Sequence, residues 1–70
     1  MDRAVWLEHL AQVERLIVGA YERVARQREI VEQLERDGRS ATAARGRLAA
    51  FERLLAMHLA DRDEIQKELE

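Results

Sequence analysis

Apolar residues recur in alternating steps of three and four along almost the whole chain, and this seam is interrupted only once. In the first half, the seam positions are Arg3, Trp6, Leu10, Val13, Ile17, Ala20, Val24, Gln27, Val31 and Leu34. In the second half, they are Ala41, Ala44, Leu48, Phe51, Leu55, His58, Arg62, Ile65 and Leu69. A spacing of 3.5 residues sustained over several heptads is typical of helices that pack side by side as in a coiled coil. The sequence therefore predicts an all-α protein.

The four residues Asp37, Gly38, Arg39 and Ser40 break the pattern. Gly38 can take the left-handed conformation that ends a helix, and Ser40 can accept a hydrogen bond from an N–H group at the start of the next one. The break therefore predicts a helix over about residues 3–36, a turn over 37–40 and a second helix over about 41–69.

Folding the chain back at this turn brings the two seams into register. Positions whose numbers sum to 78 or 79 become neighbours, so Val31 lies beside Leu48 and Val24 lies beside Leu55. Two independent patterns thus agree on one arrangement. The sequence predicts a single domain over residues 1–70, an antiparallel, coiled-coil-like hairpin of two helices.

The apolar stripe of each helix is wider than a two-helix seam requires, because further apolar residues flank the seam. A stripe of this width is typical of helices in a bundle of three or four. A chain of 70 residues without cysteine also buries little surface on its own, and association with other chains is the ordinary remedy. We therefore expect two hairpins to form a homodimeric four-helix bundle.

The predicted interface includes Trp6, whose pairing position would be 72 and so lies beyond the second helix. A tryptophan left over in this way is a good anchor for a partner. The residues predicted to line the dimer or partner interface are Trp6, Leu7, Leu16, Tyr21, Ile30, Leu54 and Leu59. The expected partner is a second copy of the chain, with another protein as the alternative.

Charge is distributed unevenly along the predicted hairpin. Residues 23–53, the half nearest the turn, contain 8 arginines and 5 acidic residues, whereas the remainder contains 4 basic and 9 acidic residues. Two such rods attract each other when the turn of one lies beside the open end of the other. The charge pattern therefore favours an antiparallel homodimer.

Polar residues within the seams are candidate sites. His58 is either a metal or pH-sensitive site or a histidine that fills space beside Ala20; a zinc site is disfavoured because Arg62 occupies the i+4 position of a second ligand. Gln27 and Arg62 either fix the register or reach the solvated rim. The sequence has no recognisable nucleophile and base pair, phosphate loop or Glu-x-x-His motif, so we predict no catalytic residue, no metal, no cofactor and no enzymatic activity.

An alternative function is suggested by an arginine-rich tip. The candidate phosphate contacts are Arg36, Arg39, Arg45 and Arg47. A hairpin dimer that used them to bind RNA would resemble, in architecture only, the ROP-type RNA binder. No aromatic residue lies among these arginines, and Glu35 and Asp37 intervene, so the pattern disfavours a nucleic-acid partner.

Several segments of the chain resemble a family of small uncharacterised bacterial helical-hairpin proteins. They are QREIVEQLERDG over residues 27–38, LADRD over 59–63 and KEL over 67–69. The similarity spans most of the chain, although this sequence has Ala-Met-His at 56–58 and a serine at 40 where the family pattern suggests an aspartate or threonine cap. The resemblance implies a natural bacterial protein and assigns no residue a role.

The sequence therefore predicts a small homo-oligomeric interaction or scaffold module. It has neither the basic and apolar regions of a signal peptide nor the roughly 20 apolar residues of a membrane span. We therefore expect a cytoplasmic protein without a membrane partner.

Overall fold

A computed structural model describes residues 2–70, and within that range the chain forms two helices and no strand. Helix α1 spans Arg3–Arg36, and helix α2 spans Thr42–Leu69. They pack against each other along their length as a rod whose Cα atoms extend over 54 × 14 × 14 Å. The helical hairpin predicted from the heptad pattern is confirmed.

The turn between the helices is built around Gly38, which has a φ of +68°. The N–H of Arg39 donates to the carbonyl oxygen of Leu34 at 2.9 Å, and the N–H of Gly38 donates to that of Glu35 at 3.1 Å. These two bonds define a Schellman motif, in which a left-handed residue closes a helix and pairs its last carbonyl groups. The role predicted for Gly38 is confirmed.

The start of α2 agrees with the prediction to within one residue, but the cap residue differs. The cap position is Ala41, which makes no side-chain cap bond, and α2 begins at Thr42. Ala41 is a buried seam residue and also holds the cap position, so Ser40 lies one residue before the cap. The hydroxyl of Ser40 therefore accepts the Thr42 N–H only at 3.5 Å. In contrast, α1 has a well-formed cap, since Oδ1 of Asp2 accepts the Val5 N–H at 3.0 Å.

The hydrophobic core is the seam itself. The buried residues of α1 are Val13, Ile17, Ala20, Val24, Gln27 and Val31, all of them predicted seam positions. Within α2 the seam residues are only half-buried. Arg3, at the open end of the seam, is exposed and donates to the carbonyl oxygen of Leu69 at 3.0 Å, where α2 leaves carbonyl groups unpaired. One narrow core therefore holds the hairpin together and leaves the flanks of both helices in solvent.

Candidate interaction surface

One long side of the hairpin is closed by ion pairs between the helices. We call it the ion-pair edge. Its positions, which recur every seven residues, are Leu7, Glu14, Tyr21, Arg28 and Glu35 on α1 and Arg45, Glu52, Leu59 and Gln66 on α2. Nη2 of Arg28 lies 3.4 Å from Oε2 of Glu52, and Nη2 of Arg45 lies 2.8 Å from Oε2 of Glu35. Four charged groups on this edge are thus matched within the hairpin itself, whereas Glu14 forms no ion pair among residues 2–70.

The opposite long side carries open clefts in place of ion pairs. We call it the cleft edge; its positions are His9, Leu16, Arg23 and Ile30 on α1 and Arg47, Leu54 and Asp61 on α2. Three clefts lie along it, with volumes of about 390, 260 and 290 Å³. The clefts of about 260 and 290 Å³ lie toward the turn, and both are lined by Ile30 and Arg47. The cleft of about 390 Å³ lies toward the open end of the hairpin.

Two of these clefts have opposite charge. The acidic cleft is lined by His9, Gln12, Val13, Leu16, Asp61, Glu64 and Ile65. The basic cleft is lined by Arg23, Arg26, Gln27, Ile30, Arg47 and Phe51. Within residues 2–70, neither the three arginines nor Asp61 forms an ion pair, whereas Glu64 accepts Nζ of Lys67 at 3.2 Å. The cleft edge therefore presents separated charges whose counter-charges are not supplied by the hairpin.

The apolar residues predicted to form one interface are divided between the two edges. Leu16, Ile30 and Leu54 lie on the cleft edge, whereas Leu7, Tyr21 and Leu59 lie on the ion-pair edge. Leu7, Leu16, Tyr21 and Ile30 are 38–54% exposed, and Leu54 and Leu59 are half-buried. Trp6 is also half-buried and packs edge-on against the ring of His9, with 5.9 Å between the ring centroids.

Two exposed apolar residues were not named from the sequence. Val18 is 59% exposed and Met57 is 54% exposed. Met57 follows Leu54 by three residues and precedes Asp61 by four, so it adjoins the cleft edge. Val18 precedes Tyr21 by three residues and adjoins the ion-pair edge. Both residues lie outside the heptad seam, and a search for apolar neighbours of the flanking positions would have found them.

The predicted arginine tip does not form one cluster. Arg36 donates to Oε1 of Gln33 at 2.8 Å, and Arg45 is paired with Glu35 across the ion-pair edge. Arg39 is exposed in the turn, and Arg47 lies on the other side of the hairpin. The arginines that the fold brings together are Arg23, Arg26 and Arg47. This set was missed because it is assembled from both helices.

The polar residues of the seam fall into two classes. Gln27 is buried, 6% exposed, and Nε2 donates to the carbonyl oxygen of Ala44 at 3.1 Å across the helix interface. By contrast, Nδ1 of His58 and Nε of Arg62 are buried without a hydrogen-bond partner among residues 2–70. Nε of Arg62 lies 4.0 Å from Oδ1 of Asp63, too far for a hydrogen bond. In the same range, no group of three or more His, Asp or Glu side chains is arranged to bind a metal ion.

Comparisons with protein-family models, curated proteins and solved structures find no match for this chain. Neither helix, over the residues that the structure describes, has a stretch long and apolar enough to cross a membrane.

Proposed function

We propose that the chain is a small self-associating helical interaction module, in which two hairpins pack together as a four-helix bundle. The observation that carries the proposal is the amount of surface the hairpin leaves exposed. Its accessible surface is 5219 Å². A compact folded protein of 8.2 kDa exposes about 4500 Å² by the usual scaling with mass. The excess, about 700 Å², is close to the roughly 800 Å² that each partner buries in a specific protein interface.

The composition of the exposed surface supports the same proposal. Large apolar side chains are exposed at five positions along α1 and at Met57 on α2, and α2 has no buried residue. A second hairpin would cover such residues and convert the half-buried seam of α2 into a core. A cytoplasmic location is part of the proposal, since a chain without cysteine needs no oxidising compartment for its fold.

Light scattering on a size-exclusion column, run over a dilution series, tests the proposal. We expect the mass of two chains at micromolar concentration, with dissociation on dilution. A folded single chain throughout the series would contradict self-association.

Matched variants identify the edge that is used. Leu16→Gln with Leu54→Gln places polar groups on the cleft edge, and Tyr21→Gln with Leu59→Gln does so on the ion-pair edge. We expect the first pair to weaken the dimer more, because two ion pairs within one hairpin already match four charged groups of the ion-pair edge.

RNA binding is a second candidate function, and the basic cleft is the observation that favours it. Arg23, Arg26 and Arg47 line the same cleft as Phe51, a half-buried ring on which a base could stack. The support is weaker than for self-association, because Arg36 and Arg45 are engaged by Gln33 and Glu35. Salt-sensitive retention on an RNA or heparin column, abolished by Arg23→Glu, Arg26→Glu and Arg47→Glu together, is the expected result if this candidate is correct. Elution at low salt would contradict it.

A further inference from the structure

We infer that the two hairpins lie antiparallel across their cleft edges, so that the basic cleft of each copy receives Asp61 and Glu64 of the other. The inference rests on the proposed self-association and adds the orientation, the edge and the residues that meet.

The two clefts occupy equivalent positions in the heptad repeat. On α1, adding fourteen to the residue numbers of the acidic cleft converts His9, Gln12, Val13 and Leu16 into Arg23, Arg26, Gln27 and Ile30 of the basic cleft. On α2, subtracting fourteen converts Asp61 into Arg47 and Ile65 into Phe51. The clefts are therefore similar in position and in apolar lining, and they differ in the sign of their charge.

The clefts are also placed symmetrically about the centre of the rod. On α1 they lie fourteen residues apart, about 21 Å along the helix. Their midpoint falls between Gly19 and Ala20, which is also the midpoint of α1. A two-fold axis at this point places each cleft opposite its counterpart while the two rods overlap over their full length. No sliding of one rod along the other is needed.

The residues near this axis are suited to a close approach of two chains. Gly19 has no side chain, and a Cβ atom added there would meet nothing within 4 Å in the hairpin. Leu16 on α1 and Leu54 on α2 lie on the same edge and supply apolar contact area. The expected interface thus has an apolar centre flanked by one pair of opposite charges on each side.

Electrostatics selects the antiparallel orientation. Side-by-side packing in the parallel sense would bring two sets of Arg23, Arg26 and Arg47 together, and like charges at an interface oppose association. The antiparallel sense supplies each set with carboxylates. Because these arginines have no ion pair within residues 2–70, the contact creates charge pairs without breaking existing ones on the basic side. On the acidic side, only the exposed bond between Glu64 and Lys67 competes.

Charge reversal tests the inference with three variants of the full chain. The basic-reversed variant carries Arg23→Glu, Arg26→Glu and Arg47→Glu; the acid-reversed variant carries Asp61→Arg and Glu64→Arg; the swapped variant carries all five changes. In an antiparallel dimer each single reversal places like charges together twice, and the swapped chain restores both contacts. We expect at least a tenfold weaker dimer for each single reversal, and recovery to within about threefold for the swapped variant.

A matched control separates local pairing from net charge. Arg15→Glu, Arg39→Glu and Arg53→Glu change the net charge by the same amount as the basic-reversed variant, but all three residues are exposed and outside the clefts. We expect these changes to weaken the dimer much less. Helix content by circular dichroism confirms that each variant is folded before its mass is compared.

The possible outcomes distinguish the inference from the proposed function. A single-chain mass for the unaltered protein would overturn self-association itself. A dimeric unaltered protein whose basic-reversed variant dimerises as tightly, or whose swapped variant does not recover, would overturn only the antiparallel contact. Unchanged dimer mass with lost retention on an RNA column would overturn the contact and assign the arginines to phosphate.

Cross-linking gives a second readout that needs no charge reversal. The chain has no cysteine, so Ser40→Cys introduces a single thiol at the turn. In the antiparallel dimer the two turns lie at opposite ends of a 54 Å rod, and we expect no disulfide between them under mild oxidation. A mixture of Ser40→Cys and Glu70→Cys chains is expected to form the mixed disulfide. Rapid, complete cross-linking of Ser40→Cys to itself would overturn the inference.

Discussion

The side-chain amide of Gln27 donates a hydrogen bond to the carbonyl oxygen of Ala44 across the interface between the helices, at 3.1 Å. Gln27 is the buried polar residue of the α1 seam, and its bond joins the C-terminal third of α1 to the first turn of α2. This contact holds the two helices in a defined register. Of the two roles considered for Gln27, fixing the register and reaching the solvated rim, the structure thus supports the first.

Gln27→Ala is expected to destabilise the hairpin by about 1–3 kcal/mol, because it removes a hydrogen bond and leaves a gap in the core. Gln27→Leu is expected to recover most of that loss, since it fills the space and the Ala44 carbonyl keeps its bond within α2. Urea denaturation at one fixed protein concentration measures both variants. Equal destabilisation by alanine and leucine would show that the hydrogen bond dominates over packing.

Gly38→Ala is expected to destabilise the hairpin by about 1–2 kcal/mol, because the φ of +68° places an L side chain in the disfavoured left-handed region. Gly46→Ala is the matched control, since Gly46 lies within α2 and an added Cβ meets nothing within 4 Å. The same substitution there is expected to stabilise α2 by about 0.5–1 kcal/mol. Thermal melts followed by circular dichroism compare the two. Shifts of the same sign would contradict the assigned role of Gly38.

Ile17→Ala is expected to cost about 2–4 kcal/mol, because Ile17 is buried in the seam and truncation leaves a cavity. The neighbouring Val18→Ala is expected to change the free energy of unfolding by less than about 0.5 kcal/mol, since Val18 is largely exposed. Denaturant midpoints of the two variants give the comparison. A large effect at Val18 would indicate that the dimer covers this residue in place of the cleft edge.

His58→Leu is expected to stabilise the hairpin by about 1 kcal/mol, because it replaces a buried ring nitrogen that has no partner among residues 2–70 with an apolar group. Ala60→Leu, at an exposed position in the same turn, controls for a general effect of adding a leucine to this part of α2. Denaturation in urea provides the measurement. Destabilisation by His58→Leu would mean that the imidazole makes a favourable contact in the assembled protein.

The helices, the seam and the turn were predictable because each depends on residues close together in sequence. The spacing of Val13, Ile17, Val24 and Val31 determines which face of α1 is buried, and Gly38 alone supplies the left-handed residue at the break. Ser40 accepts an N–H at the start of α2, as predicted, but only at 3.5 Å, because Ala41 is the cap residue. Ala41 is buried in the hairpin, and capping preference, which depends on the local sequence, does not include such burial.

The candidate interaction surface was only partly predictable. Leu16 and Tyr21 were correctly named as apolar residues outside the seam, but they lie on opposite edges of the hairpin. Arg47 was grouped with its neighbours along the chain, whereas the fold places it with Arg23 and Arg26. Two things decide which residues of α1 and α2 lie together on one edge. One is the register between the helices, and the other is the side of the seam on which each residue lies.

The connection at Gly38 sets the length of the molecule. A chain that continued as one helix through this turn would measure about 100 Å, nearly twice the 54 Å of the hairpin. Two straightened chains could then exchange arms, each α2 packing on the α1 of the other with the same seam contacts. One glycine in a left-handed conformation therefore determines which chain supplies the second half of the core, and with it the architecture of any assembly built from this protein.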